Sequence, residues 1–337
     1  MKRRTLGATG MSVSELSLGA MMFGAMGNRD HDDAVRVIHR ALDAGVNVID
    51  TADVYSQGEC EEIVAKAIKG RRDDLVIATK FGLPMGEDPN RRGGSRRWIF
   101  RAVEDSLRRL DVDHIDLYQM HRPDHETDVA ETLSALTDLV RAGKLRAFGS
   151  SMFPAELVVE AQWAAQRTGS HRFLTEQSIY SVFTRRPEGA VFPTAQRHGL
   201  GVLAFSPLNG GWLSGRADLT TGHRASSRPS HYDPTTPTGK LKTAALAALA
   251  ALADEAGLTL PQLAIAFARS HPAVTSVLIG PRTADQLDGL LPGADVDLTD
   301  DILDRIDAIV PPGVDLNPED NYAATPPALQ DARLRRR

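Results

Sequence analysis

The chain has 337 residues, 42% of them hydrophobic and 25% charged, which suits a folded protein with a large core and excludes a disordered one. Its net charge of −5 gives no electrostatic reason to expect nucleic acid or an acidic membrane surface as a partner. A single cysteine, Cys60, rules out an intrachain disulfide; no apolar stretch is long enough to span a membrane and the start MKRRTLGATG lacks the apolar core of a signal peptide, so a cytoplasmic protein is expected.

Taken in chain order, the first element is a predicted hairpin from about Arg3 to Val13 around GATG. Short β-branched or apolar runs follow at SELSLG, NVID, LVIATK, HIDLYQM, LRAFGS, RFLTEQ, GVLAFS and SVLIG. Between them lie amphipathic stretches such as HDDAVRVIHRALDAG, RWIFRAVEDSLRRL, ETLSALTDLVRAG, PAELVVEAQWAAQ and LPQLAIAFARSH, with Gly45, Asp111, Gly143 and Gly199 placed to stop helices. Strands separated by helices imply parallel pairing, and this many units in one domain predict a (β/α)8 TIM barrel whose bottom the hairpin closes. The alanine-rich LKTAALAALAALADEAG reads as an outer barrel helix. Neither GATG nor LNGGW has the spacing of a dinucleotide-binding Rossmann turn.

A barrel of this kind carries its site at the C-terminal ends of the strands, and polar residues collect there: Asp50, Lys80, His121, Ser150 and Ser151, Gln177, Ser206 after Phe205, and Gly280 with Arg282. In VNVIDTADVY a strand ends on Asp50 and a short loop then presents Tyr55. A phenol near a cation can act as a general acid, because the cation stabilises the phenolate left behind. Taken singly, Asp50 could be a turn cap, Tyr55 a loop aromatic, Lys80 a solvated lysine and His121 a loop histidine. Successive strand ends delivering Asp, Tyr, Lys and His in register outweigh those separate readings. The histidines show no HExxH spacing, and proline interrupts HRPDH, so no metal site is expected.

The runs LGAMMFG, DTADVY, ATK, DLYQMHR, FGSS, EQSIYS, AFSPLNGG and IGPRTADQL, in this order over nearly the whole length, resemble those of the aldo-keto reductases. The resemblance implies a nicotinamide-dependent oxidoreductase that reduces an aldehyde or ketone. SPLNGGWLSGR and the tail PPGVDLNPEDNY are similar to bacterial reductases acting on keto-sugars and other carbonyl compounds. It also implies roles: Tyr55 as the acid, Lys80 paired with Asp50 as its supporting cation, and His121 as the group that orients the carbonyl. Family members that reduce carbon–carbon double bonds tend to carry glutamate at the histidine position, so His121 points to carbonyl reduction. Ser150, Ser151 and Gln177 would hold the nicotinamide carboxamide, Phe205 would stack on its ring, and Ser206, Pro207, Leu208 and Gly210 would wrap the pyrophosphate. Gly280, Arg282 and Gln286 would bind the adenosine phosphate, the guanidinium favouring NADPH over NADH. The alternative that the resemblance leaves open is a redox-sensing regulatory subunit of the channel-associated branch, against which the intact tetrad and the lack of an added N-terminal segment weigh.

Residues 1–337 are read as one domain, with a lid or substrate loop over Asn209–Gly239 and a C-terminal tail over residues 311–337. The loop Phe81–Ser95 is a second candidate wall. Trp212 is expected to line the pocket, Trp98 and Trp163 to pack inside helices.

Overall fold

The N-terminal hairpin pairs β1 (Arg3–Thr5) with β2 (Ser12–Ser14) antiparallel, Arg4 opposite Val13. In the computed structural model, which describes residues 1–216, 219, 227–321, 329 and 331–336, the eight runs that follow form β3 (Leu16–Gly19), β4 (Val48–Asp50), β5 (Val76–Phe81), β6 (Ile115–Met120), β7 (Leu145–Ser151), β8 (Thr175–Ile179), β9 (Gly201–Phe205) and β10 (Val274–Ile279). All eight are parallel, each hydrogen-bonded to the next, and β10 returns to β3, so the sheet closes as a (β/α)8 barrel.

The helices among the described residues are α1 (His31–Asp43), α2 (Glu59–Ile68), α3 (Arg96–Leu110), α4 (Val129–Arg141), α5 (Ala155–Thr168), α6 (Val191–His198), α7 (Pro237–Glu255), α8 (Leu260–Ser270), α9 (Ala284–Leu290) and α10 (Asp300–Ile309). Their stops are those the sequence marks: Gly45, Gly143 and Gly199 take φ of 92°, 78° and 65°, and Asp111 takes 53°, the left-handed conformation that ends a helix. Among the described residues no single helix is long and apolar enough to cross a membrane.

Strand periodicity divides the core in two. Outward-facing Ile49, Ile77, Tyr118, Phe148 and Val202 join the helices in one large cluster. Inward-facing Val48, Ala78, Leu117, Ala147, Leu203 and Leu278 form a smaller one, which Leu6 and Val13 of the hairpin complete at the bottom of the barrel. The hairpin docks so closely that a Cβ on Gly7, at φ +52°, would lie 2.2 Å from the Gly201 amide nitrogen. Glu15 fastens this end, accepting from Arg4 Nε and Arg269 Nη1 at 2.8 Å each.

Two expectations change. The helix after the lid loop starts at Pro237, not beyond Gly239, because the Thr236 hydroxyl caps it by accepting from the Gly239 amide and proline suits a first helical turn. It packs on α8 and α10. Trp163 is 57% exposed, with the Arg167 guanidinium 4.6 Å from its ring centre; the buried face of α5 is built from Val158, Ala161, Gln162, Ala164 and Ala165, and Trp163 falls opposite it. Trp98 is buried. Of the loop Asn209–Gly239, residues 217, 218 and 220–226 lie outside the described residues, as do 322–328, 330 and 337 of the tail.

Candidate active site

Three of the inward-facing apolar residues are followed two positions later by a polar one: Val48 by Asp50, Ala78 by Lys80, Leu117 by Gln119 and then His121. Register places Lys80 beside Gln119, and Ser151 beside Gln177, at the C-terminal mouth. Asp50, Lys80, Gln119 and Gln177 are buried there as one hydrogen-bonded set. Lys80 spends its protons on three oxygens: an ion pair with Asp50 Oδ1, the Thr51 carbonyl at 2.9 Å and the Tyr55 hydroxyl at 3.5 Å. The other Asp50 oxygen accepts from Gln119 Nε2 at 3.0 Å and Gln177 Nε2 at 2.8 Å. Burial pulls the Lys80 ammonium down, but Asp50 and the Tyr55 hydroxyl beside it more than offset this, and its pKa lies above the ordinary lysine value.

Tyr55 reaches over this set on an unusual turn. Ser56 and Gln57, directly after it, both have left-handed backbones, φ 48° and 57°, which non-glycine residues adopt only when the surroundings hold them. Ser56 is held by the loop after β3, its hydroxyl donating to the Phe23 carbonyl and accepting from the Met26 amide at 3.1 Å. The Tyr55 ring meets His121 edge to face, with centres 5.7 Å apart. Burial, then the positive charges of Lys80 and Arg122, push the His121 imidazolium well below the ordinary histidine range, so the ring is neutral at pH 7. A neutral imidazole has one N–H to offer.

Tyr55, His121, Asp50, Ser151 and Gln177 line a cleft of about 1250 Å3, together with Phe205, Ser206, Pro207, Leu208 and Gly210 and with Gly280, Arg282 and Gln286. Ser150 is not among the lining residues. Strand alternation turns it away from the barrel axis, where its hydroxyl donates to Glu176 at 2.5 Å. Ser151 faces the cleft, and its buried hydroxyl has no hydrogen-bond partner among the described residues. Trp212, expected in the wall, is buried behind it, stacked on Tyr232 with its Nε1 donating to the His231 carbonyl at 3.3 Å.

Sequence reading also passed over Gln119, a fully buried member of the hydrogen-bonded set that does not line the cleft, and several residues that do. Gln119 carries a signal that could have found it, the inward period of β6. Arg216 lies against the turn, its Nη2 only 2.9 Å from where a Cβ on Gly211 would stand, and adds a cation to the cleft lining. Met21, Met22, Arg122, Arg228, His231 and the tail residues Pro318, Glu319 and Asn321 come from loops with no periodic signal.

A family model described as the aldo/keto reductase family matches residues 15–311, the span from β3 to the end of the last barrel helices. The chain belongs to this family. Among curated proteins, this aldo/keto reductase is 37% identical to an uncharacterized oxidoreductase, YrpG, of Bacillus subtilis (strain 168), over 92% of this chain and 96% of that one. It is 34% identical to a probable voltage-gated potassium channel subunit beta of Arabidopsis thaliana, and to the protein of that description in Oryza sativa subsp. japonica, over 92% of this chain and 97% of each.

The family generally uses a nicotinamide dinucleotide, and the residues present fit one. The unpartnered Ser151 hydroxyl and the Gln177 amide stand at the tetrad end, where a carboxamide needs both a donor and an acceptor. Phe205 offers a flat face. The turn after it holds Ser206, Asn209, Gly210 and Gly211 at φ of 61°, 48°, 68° and 109°, the kind of backbone that bares amide N–H groups to an anion. Arg216 and Arg282 supply positive charge along the path.

Proposed function

We propose that this aldo/keto reductase reduces an aldehyde or ketone, keto-sugars among the candidates, to the alcohol with NADPH. The observation that carries the reading is the direction of the Lys80 protons. Two are fixed on Asp50 and the Thr51 carbonyl, and the third is aimed at the Tyr55 hydroxyl. A bound nicotinamide would supply the hydride to the carbonyl carbon. Tyr55 then gives its proton to the carbonyl oxygen, and Lys80, held charged by Asp50, stabilises the phenolate that remains. Neutral His121 donates a hydrogen bond to the same oxygen without competing as an acid. Asp50 lines the cleft and Lys80 does not, so the cation acts on substrate only through Tyr55.

Arg282 supports the choice of NADPH. Its backbone is fixed from both sides, the amide donating to Gln286 Oε1 at 2.9 Å and the carbonyl accepting from Asn28 Nδ2 at 3.0 Å, while its side chain lines the cleft. The test is steady-state oxidation of NADPH with a panel of aldehydes, ketones and keto-sugars, which is expected to show turnover abolished by loss of Tyr55. The relatives described as channel subunits support a second reading, a cofactor-binding regulatory subunit. Tight binding of NADPH with no oxidation on any carbonyl would favour it.

A further inference from the structure

The turn Ser206–Gly211 is an improbable shape for a free chain, with four of its six residues in left-handed conformations, two of them not glycine. Something must hold it, and the support lies behind the cleft. Asn209 is buried and absent from the cleft wall. Its Nδ2 donates to Thr184 Oγ1 at 2.9 Å and its Oδ1 accepts from Lys242 Nζ at 2.9 Å. Lys242, on α7, is 1% exposed, forms an ion pair with Asp320 of the C-terminal segment and sits 5.0 Å from the Trp212 ring centre. Asp320 is also buried, its Oδ1 3.2 Å from His231 Nδ1. On the far side of the same segment, Pro318, Glu319 and Asn321 line the cleft.

We propose that Lys242 and Asp320 are positioning residues for the dinucleotide: through Asn209 they hold the turn Ser206–Gly211 in its binding shape, and they couple cofactor affinity to the C-terminal segment that walls the cleft. Neither side chain lines the cleft, so the effect is indirect. The inference rests on the reading of this cleft as an NADPH site. A buried ammonium cannot keep its charge without its partners, so loss of either one should release Asn209 as well as weaken the fold.

Three variants separate positioning from plain stability. Lys242→Met removes the cation. Asn209→Gly removes the amide at a position whose positive φ glycine tolerates, leaving the ion pair in place. Arg269→Met removes a comparably buried cation from Glu15 at the opposite end of the barrel. NADPH affinity is read by fluorescence titration and folding by thermal melts. Lys242→Met and Asn209→Gly are expected to weaken NADPH binding about tenfold or more, the loss of a charge-assisted bond. Arg269→Met is expected to lower the melting temperature yet leave NADPH affinity within about twofold. Folded Asn209→Gly with wild-type affinity overturns the inference, and it decides alone if Lys242→Met does not fold. Equal weakening by Arg269→Met and Lys242→Met overturns it too. If the wild type binds NADPH and these variants do not differ, only the inference falls; if the wild type binds no nicotinamide dinucleotide, the cofactor reading falls and takes the inference with it.

Discussion

The tetrad end of the cleft and its cofactor end are built by different means. Asp50, Lys80, Gln119 and Gln177 are strand residues, each with its direction set by the two-residue period and its neighbour by barrel register; His121 directly follows β6, and Tyr55 stands on a short turn pinned by Ser56 to the loop after β3. The turn Ser206–Gly211, Arg216, Arg282 and the tail residues belong to loops, held by side chains as distant in sequence as His231 and Asp320, 89 positions apart. Chemistry that depends on proton positions sits where the backbone leaves little freedom, and recognition sits where loops can vary. Substitutions in the two regions should therefore fail in different ways: at the tetrad end turnover or folding breaks, and at the cofactor end affinity moves, with folding affected only where a buried support such as Lys242 is lost.

The sharpest test is Tyr55→Phe. It deletes one hydroxyl, which accepts a 3.5 Å bond from Lys80, and should leave folding and NADPH binding close to wild type while lowering turnover by roughly two to four orders of magnitude. Stopped-flow measurement of hydride transfer checks it; near-normal reduction would remove Tyr55 from the mechanism. Lys80→Met breaks the same region by another route, stranding the Asp50 carboxylate without its counter-ion in a wholly buried site. A broken buried pair costs about 3–5 kcal/mol, so the variant should melt markedly lower as well as lose activity. A melt unchanged from wild type would mean that water or a proton reaches Asp50.

The strands and most helix stops were legible in the sequence, and so was the gathering of Asp50, Tyr55, Lys80 and His121 at one place, because periodicity and positive-φ residues are local signals. Ser150 shows the limit of that reading. FGSS places two serines at a strand end, and only the side of the sheet each faces decides that Ser151 meets the cleft while Ser150 meets Glu176. Trp163 shows another limit, since an apolar residue in a helix says nothing of its face until the buried stripe is traced. The support of the cofactor turn by Lys242 and Asp320 joins three segments distant along the chain, and no local pattern announces it.

At the cofactor end the matching test is Arg282→Ala. Because the Arg282 backbone is held by Gln286 and Asn28, truncating its side chain should leave the loop in place. NADPH affinity is expected to fall about ten- to a hundredfold, the worth of a charge-assisted contact to a phosphate, with NADH affinity almost unmoved and the melting temperature unchanged. Titration with both cofactors is the measurement. An equal loss for NADPH and NADH would show that Arg282 shapes the loop and does not read the phosphate.

The last test separates the regions by pH. Glu176 lies behind the tetrad end, fully buried, accepting from the Ser150 hydroxyl and, at 3.1 Å, from the Phe153 amide. Burial raises its pKa to about 8, the hydrogen bonds offsetting only part of the cost of charging it. Between the unfolded carboxyl value, about 4.3, and about 8 the folded chain thus holds a proton that the unfolded chain has released, so this group makes stability fall as pH rises through that window. One proton of difference changes the folding constant by at most about tenfold per pH unit. Glu176→Gln keeps an acceptor for Ser150 and cannot titrate, so its stability relative to wild type should improve steadily from pH 5 to pH 8 and level off above. Denaturant melts across that range would read it. A gap between the two proteins that stays constant with pH would mean that Glu176 is already charged in the folded state, and that an unrecognised cation or water satisfies it there.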